Sequence, residues 1–72
     1  MDIGAALRDR RRSLSLTQHE LADLSGVSSR FIRELEHGKP TVQLDSVLAV
    51  AATLGLELTL TRREPSAVTA DD

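Results

Sequence analysis

Apolar residues recur at helical spacing in four stretches of the chain, separated by short polar or glycine-containing segments. Spacings of three, four and seven residues put side chains on one face of a helix. The pattern predicts helices over residues 3–14, 18–25, 29–37 and 44–54, and hence an all-α domain. The positions expected to be buried are Ile3, Ala6, Leu7, Leu14, Leu21, Ala22, Leu24, Ile32, Leu35, Leu44, Val47, Leu48, Ala51 and Leu54.

The second and third helices carry clear start and stop signals. Thr17 and Glu20 have the spacing of a capping box, in which each side chain bonds a free backbone amide. Gly26 suits a left-handed helix end, and Ser28 can cap the next helix. Two short helices joined by a three- or four-residue turn containing glycine form a helix-turn-helix, whose second helix can enter a DNA major groove.

The segment from Leu56 to Thr61 changes to a period of two. Leu56, Leu58 and Leu60 alternate with polar residues, which predicts a half-buried β-strand. A lone strand leaves its backbone groups unpaired, so we expect pairing with the same strand of a second copy across a two-fold axis. The alternatives are a fifth short helix and an extended tail lying on the core.

The predicted domain spans residues 1–63, and residues 64–72 are predicted to be a disordered tail because they are small, polar and proline-containing. The tail holds three acidic residues, so residues 1–63 carry nine Lys and Arg against eight Asp and Glu. The predicted domain is therefore close to neutral, although the whole chain has a net charge of −2. Binding to nucleic acid would need locally placed cations, and non-specific affinity should be weak.

Composition argues against several other functions. The chain has no cysteine, which excludes disulfides and cysteine-based zinc sites. It has no tryptophan or tyrosine and a single phenylalanine, which argues against single-strand binding through stacked aromatics. His19 and His37 stand apart without a nucleophile or metal-ligand spacing, so we expect neither catalysis nor a metal or cofactor. The chain shows no membrane-spanning run and no signal peptide, and we expect a cytoplasmic protein.

The stretch from Leu16 to Lys39, LTQHELADLSGVSSRFIRELEHGK, resembles the Cro/C1-type (xenobiotic-response-element) helix-turn-helix family, and the likeness extends from about Leu7 to Leu56. The resemblance implies a lambda-repressor-like fold, binding to an inverted-repeat operator as a homodimer, repression of its own operon and association with the nucleoid. The ending ATLGLELTL resembles more narrowly the HipB-type antitoxins. That likeness implies a dimerising C-terminal strand and a HipA-type kinase-fold toxin as partner.

Two other functions stay open at this point. One is a free-standing or phage-type repressor that has no toxin partner. The other is a protein-interaction adaptor that keeps the helical hairpin without touching DNA.

The resemblance places Gln18 against a backbone phosphate and turns Ser28, Ser29, Arg30 and Arg33 towards the major groove. Helical geometry agrees for the third helix, because its predicted buried side chains lie on the opposite face. Arginine can bind guanine O6 and N7 with two donors, and serine can serve base or phosphate. The alternative for Gln18 and the two arginines is an ordinary solvated position.

Arg11 borders the predicted core and requires a carboxylate there, and Glu36 adjoins the buried Leu35. In the resembled family an Arg–Glu bridge ties the first helix to the third, which implies a structural pair here. Lys39 is expected to contact a phosphate, or to be an ordinary loop lysine. Glu34 either accepts from a cytosine amino group or pairs with Arg30 four residues earlier.

Overall fold

The computed structural model describes residues 2–62, which form four helices. They are α1 (Ile3–Ser13), α2 (Gln18–Ser25), α3 (Ser29–Glu36) and α4 (Leu44–Thr53). Each lies within one residue of its predicted bounds, and no strand occurs within residues 2–62, so the all-α prediction is confirmed. Helix α2 packs against both α3 and α4, while α1 packs against α3.

The core is small and aliphatic, and all four helices contribute to it. Phe31 is partly buried and packs against its edge, as do Leu16 and Val27. The buried apolar residues are Leu7, Leu21, Ala22, Ile32, Leu35, Val47, Val50, Ala51 and Leu54.

The buried face of α1 differs from the predicted one. Ala6 is exposed, and Ile3 and Leu14 are 40% and 42% exposed. The buried positions are instead Gly4, Leu7 and Arg11, which keep helical spacing but include two residues that are not apolar. Leu7 is thus buried as predicted, and Arg11 lies at the core that it was predicted to border. The predictions for Ile3, Ala6 and Leu14 were wrong because apolar periodicity gave no weight to a buried glycine at position 4.

Three further residues that were predicted to be buried are exposed, one in α2 and two in α4. Leu24 is 64% exposed, and Leu44 and Leu48 are 66% and 44% exposed. Val50 is fully buried in α4, although it was not predicted to be. Helix α4 is apolar around most of its circumference, so periodicity alone could not decide which of its faces meets the core.

Glycine at position 4 lets α1 approach the carboxyl end of α3 closely. A Cβ atom there would lie 3.0 Å from the Glu36 carbonyl oxygen and closer still to that of Leu35. The sequence did not reveal this role of Gly4, because the contact joins helices that are distant in the chain. A second contact fixes the other end of α1: Arg10 Nε donates to the Leu54 carbonyl oxygen over 2.9 Å, at the end of α4.

After Gly55 the described chain runs on to residue 62 without helix or strand. This excludes the fifth helix, and no strand pairing is present within residues 2–62. Leu56 and Leu58 are 37% and 40% exposed and line a groove of about 210 Å³ beside Ile3 and Ala6 of α1, whereas Leu60 is fully exposed. The predicted tail, residues 64–72, lies outside the described residues.

Candidate nucleic-acid interface

The turn between α2 and α3 is built from the signals found in the sequence. The Thr17 hydroxyl accepts from the Glu20 amide over 3.0 Å, and the Glu20 carboxylate accepts from the Thr17 amide over 2.8 Å. Gly26 ends α2 with φ of 74°, a left-handed conformation that favours glycine. Ser28 then caps α3 by accepting from the Phe31 amide over 3.0 Å. Both predicted caps are thus confirmed, and the two helices form a helix-turn-helix.

Helix α3 turns one face to the core and the other outward. Ile32, Leu35 and Glu36 are buried. The Arg30 and Arg33 side chains are exposed on the other side, and the Arg30 side chain is 78% exposed. Their long guanidinium-bearing side chains therefore lie where a ligand along this face could contact them.

The two serines at the start of α3 differ in what holds them. Ser28 uses its hydroxyl oxygen for the helix cap. The Ser29 hydroxyl lies 3.0 Å from His19 Nδ1, and His19 Nε2 lies 3.5 Å from Asp23 Oδ2. Sequence analysis missed His19 as a neighbour of the candidate surface. The spacing of His19 and Asp23 gave a local signal, but the contact with Ser29 depends on how α2 packs against α3.

A buried ion pair supports this surface from behind. Arg11 Nε donates to Glu36 Oε2 over 2.7 Å and Nη2 donates to Oε1 over 3.0 Å, so the contact is bidentate. Arg11 Nη1 also donates to the Leu16 carbonyl oxygen over 2.8 Å. The predicted pair is therefore present, with side chains only 9% and 2% exposed, and it ties α1 to α3 and to the entrance of α2.

Gln18 completes the same network. Its Nε2 donates to Glu36 Oε1 over 3.1 Å. Burial alone would raise the pKa of Glu36, but hydrogen bonds from Arg11 and Gln18 and the charge of Arg11 together hold that pKa below its usual value. The hydrogen bond with Glu36 also raises the pKa of Arg11. An amide nitrogen carries two hydrogens, so Gln18 keeps one donor that Glu36 does not use.

Glu34 stands between two of the candidate DNA-binding cations. Arg30 Nε donates to Glu34 Oε2 over 3.1 Å, which is the predicted pair within one helix. Lys39 Nζ donates to Glu34 Oε1 over 3.2 Å. These hydrogen bonds, the one from Lys39 first, lower the pKa of Glu34 below its usual value. The contact with Lys39 was not predicted, because it depends on the path of the loop after α3.

Two further features bear on function, namely metal-ligand clusters and membrane-spanning helices. Within residues 2–62, no three His, Cys, Asp or Glu side chains are grouped as metal ligands. In the same range, no helix is both long and apolar enough to cross a membrane.

Comparison with known proteins places this geometry in a known family. Residues 7–60 match the helix-turn-helix family HTH_3. The uncharacterized HTH-type transcriptional regulator y4mF of Sinorhizobium fredii is 51% identical over 57 residues, which cover 79% of this chain and 75% of that protein. The crystal structure of the clp gene regulator ClgR from Corynebacterium glutamicum is similar, with a TM-score of 0.70 and 38% identity over 78% of this chain. This chain spans 60% of the length of that ClgR chain.

Proposed function

This chain belongs to the HTH_3 helix-turn-helix family of Cro/C1 type, and on that premise we propose that it is a sequence-specific DNA-binding transcriptional repressor. The outward face of α3 carries the proposal: Arg30 and Arg33 project from a helix that is capped by Ser28 at its start and held by the buried Arg11–Glu36 pair near its end. A rigid helix with exposed bidentate donors suits base recognition in a major groove.

In the proposed complex, α3 enters the major groove and its first turn reads bases. Arg30 and Arg33 bind guanine edges, and the Ser29 hydroxyl binds a base or a phosphate. Gln18 and Lys39 contact backbone phosphates on either side, and Ser28, whose oxygen caps α3, has a hydroxyl hydrogen left for a further phosphate. Phosphate contacts orient the protein, while the arginines supply sequence preference.

We propose that the repressor is a homodimer. Its described surface exposes Leu44 and Leu48 of α4 together with the segment 56–60, whose backbone has no strand partner within residues 2–62. Pairing two such segments across a two-fold axis would satisfy their backbone groups and cover apolar surface. Two α3 helices about 34–36 Å apart would then bind an inverted repeat with the same half-site spacing.

The narrower proposal is that the protein is the autoregulating antitoxin of a two-gene module with a HipA-type kinase toxin. It is supported by the resemblance of the ATLGLELTL ending to HipB-type antitoxins. The adjacent reading frame tests it, because a free-standing or phage-type repressor would have no toxin gene beside it. We further propose that the protein acts at the nucleoid in the cytoplasm and has no enzymatic activity.

Binding selection with a randomised duplex library tests the main proposal. Wild type should enrich an inverted repeat, and that sequence should occur upstream of the gene. Arg30→Ala should cost about 1–3 kcal/mol and flatten preference at one symmetric pair of positions. Arg62→Ala is the control, because Arg62 is exposed and lies outside the helix-turn-helix. Failure of wild type to bind any duplex would favour the interaction adaptor.

A further inference from the structure

The acidic residue on the outward side of α3 holds two cations of the proposed DNA-binding surface at once. Glu34 accepts from Arg30 through one carboxylate oxygen and from Lys39 through the other. The Glu34 side chain is 32% exposed, and those of Arg30 and Lys39 are 78% and 46% exposed. All three groups therefore lie at the surface, where ion pairs exchange partners at small energetic cost.

The ion pair with Lys39 is not needed to position that residue. The Lys39 backbone amide donates to the Glu34 carbonyl oxygen over 3.0 Å, and the Gly38 amide donates to the Leu35 carbonyl oxygen over 3.1 Å. These two bonds fix the chain as it leaves α3. The charge of the Glu34 carboxylate can therefore be removed while the backbone at Lys39 stays in place.

A DNA phosphate and the Glu34 carboxylate are anions that suit the same cationic donors. Deepening the proposed function on which the idea rests, we infer that Glu34 is an intramolecular competitor of DNA. It occupies the base-reading Arg30 and the phosphate-binding Lys39 in the free protein and so lowers affinity for all duplexes. Any duplex must displace the carboxylate from these cations and accept its negative charge nearby. Displacing the carboxylate therefore weakens the binding of cognate and random DNA alike, and base preference is unaffected.

Reading of cytosine by Glu34 is the competing explanation, and it has the opposite consequences. A carboxylate that accepts from a cytosine amino group contributes affinity and preference at one base pair. Removing it would weaken the cognate complex alone. Neutralising Glu34 thus separates the two explanations by the sign of the affinity change.

The experiment is fluorescence anisotropy of wild type and Glu34→Gln with two labelled duplexes over a series of sodium chloride concentrations. One duplex is the sequence selected from a randomised library, and the other is a random sequence of equal length. Asp9→Asn is the matched control, because Asp9 is exposed on α1 and makes no ion pair within residues 2–62. Thermal melting verifies that both variants remain folded.

Glu34→Gln should bind both duplexes about two- to fivefold more tightly, as expected for the loss of exposed ion pairs. The slope of log K against log salt should steepen by about one unit, since the freed Lys39 neutralises a phosphate. Asp9→Asn should match wild type. Unchanged affinity for Glu34→Gln, weaker binding of the selected duplex alone, or equal tightening by Asp9→Asn would each overturn the inference. Absence of wild-type binding to either duplex would instead refute the proposed function, and the inference with it.

Discussion

Replacing Arg11 with alanine should destabilise the fold without changing base preference. The substitution removes three hydrogen bonds from a guanidinium: two to Glu36, at 2.7 and 3.0 Å, and one to the Leu16 carbonyl oxygen at 2.8 Å. It leaves a carboxylate whose side chain is 2% exposed with only Gln18 as a donor. Breaking a buried pair from one side costs about 3–5 kcal/mol.

For a domain of this size, 1 kcal/mol shifts the melting temperature by about 4–8 °C, so the midpoint should fall by more than about 12 °C. Circular dichroism melts at pH 7 measure the shift. Arg12→Ala is the matched control, because Arg12 is exposed and makes no side-chain ion pair within residues 2–62. Adding Glu36→Gln to Arg11→Ala should recover part of the loss by removing the stranded charge.

The loss should also depend on pH. In wild type the pKa of Glu36 is lowered, so the stability it contributes is present above the pKa of an unfolded glutamate and is lost as pH falls through the folded value. In Arg11→Ala, burial opposes a single hydrogen bond from Gln18, so that pKa should rise and protonation should relieve the cost. The difference between the two proteins should therefore be largest near pH 7 and should shrink towards about pH 4. A wild-type midpoint combined with relaxed base preference would refute this reasoning and place Arg11 at the DNA.

Three further predictions concern the dimer, the helix contact and the phosphate contact. Leu58→Pro removes an apolar contact and a backbone donor, so sedimentation should show a monomer at micromolar concentration, whereas Leu58→Ala, which keeps the donor, should dimerise better. An unaltered dimer in the proline variant would mean that the helices alone hold the dimer together. Gly4→Ala should lower stability by about 1–3 kcal/mol in urea denaturation because its Cβ would collide with carbonyl oxygens of α3, and a more stable protein would show that α1 packs elsewhere. Gln18→Ala should weaken binding to all sequences alike, whereas the control Gln43→Ala, at a helix start without a side-chain cap bond, should leave binding unchanged. A loss of base preference in Gln18→Ala would contradict a phosphate contact.

The sequence predicted the parts of this fold that local chemistry determines. A cap such as the one that Ser28 makes joins residues three positions apart, so its spacing can be recognised in the sequence. The Arg11–Glu36 pair was predictable because a charge at the edge of a small apolar core requires a partner. The sequence did not predict contacts that depend on the packing of distant elements. Examples are the contact of Gly4 with α3, that of Arg10 with the Leu54 carbonyl oxygen, and that of Lys39 with Glu34.

The internal use of cations explains why the proposed repressor needs two copies. Arg10 and Arg11 are committed to contacts within the fold, and Arg30 and Lys39 share Glu34. Within residues 2–62, Arg33 is the α3 cation that has no acidic partner. The cations on and directly after α3 can therefore gain little from phosphates in one subunit, and a single half-site should be bound weakly. In the proposed dimer the second half-site contact becomes intramolecular, which can raise avidity by about 10²–10⁴ without any new contact. Repression would then depend on strand pairing at 56–60 as much as on α3 itself.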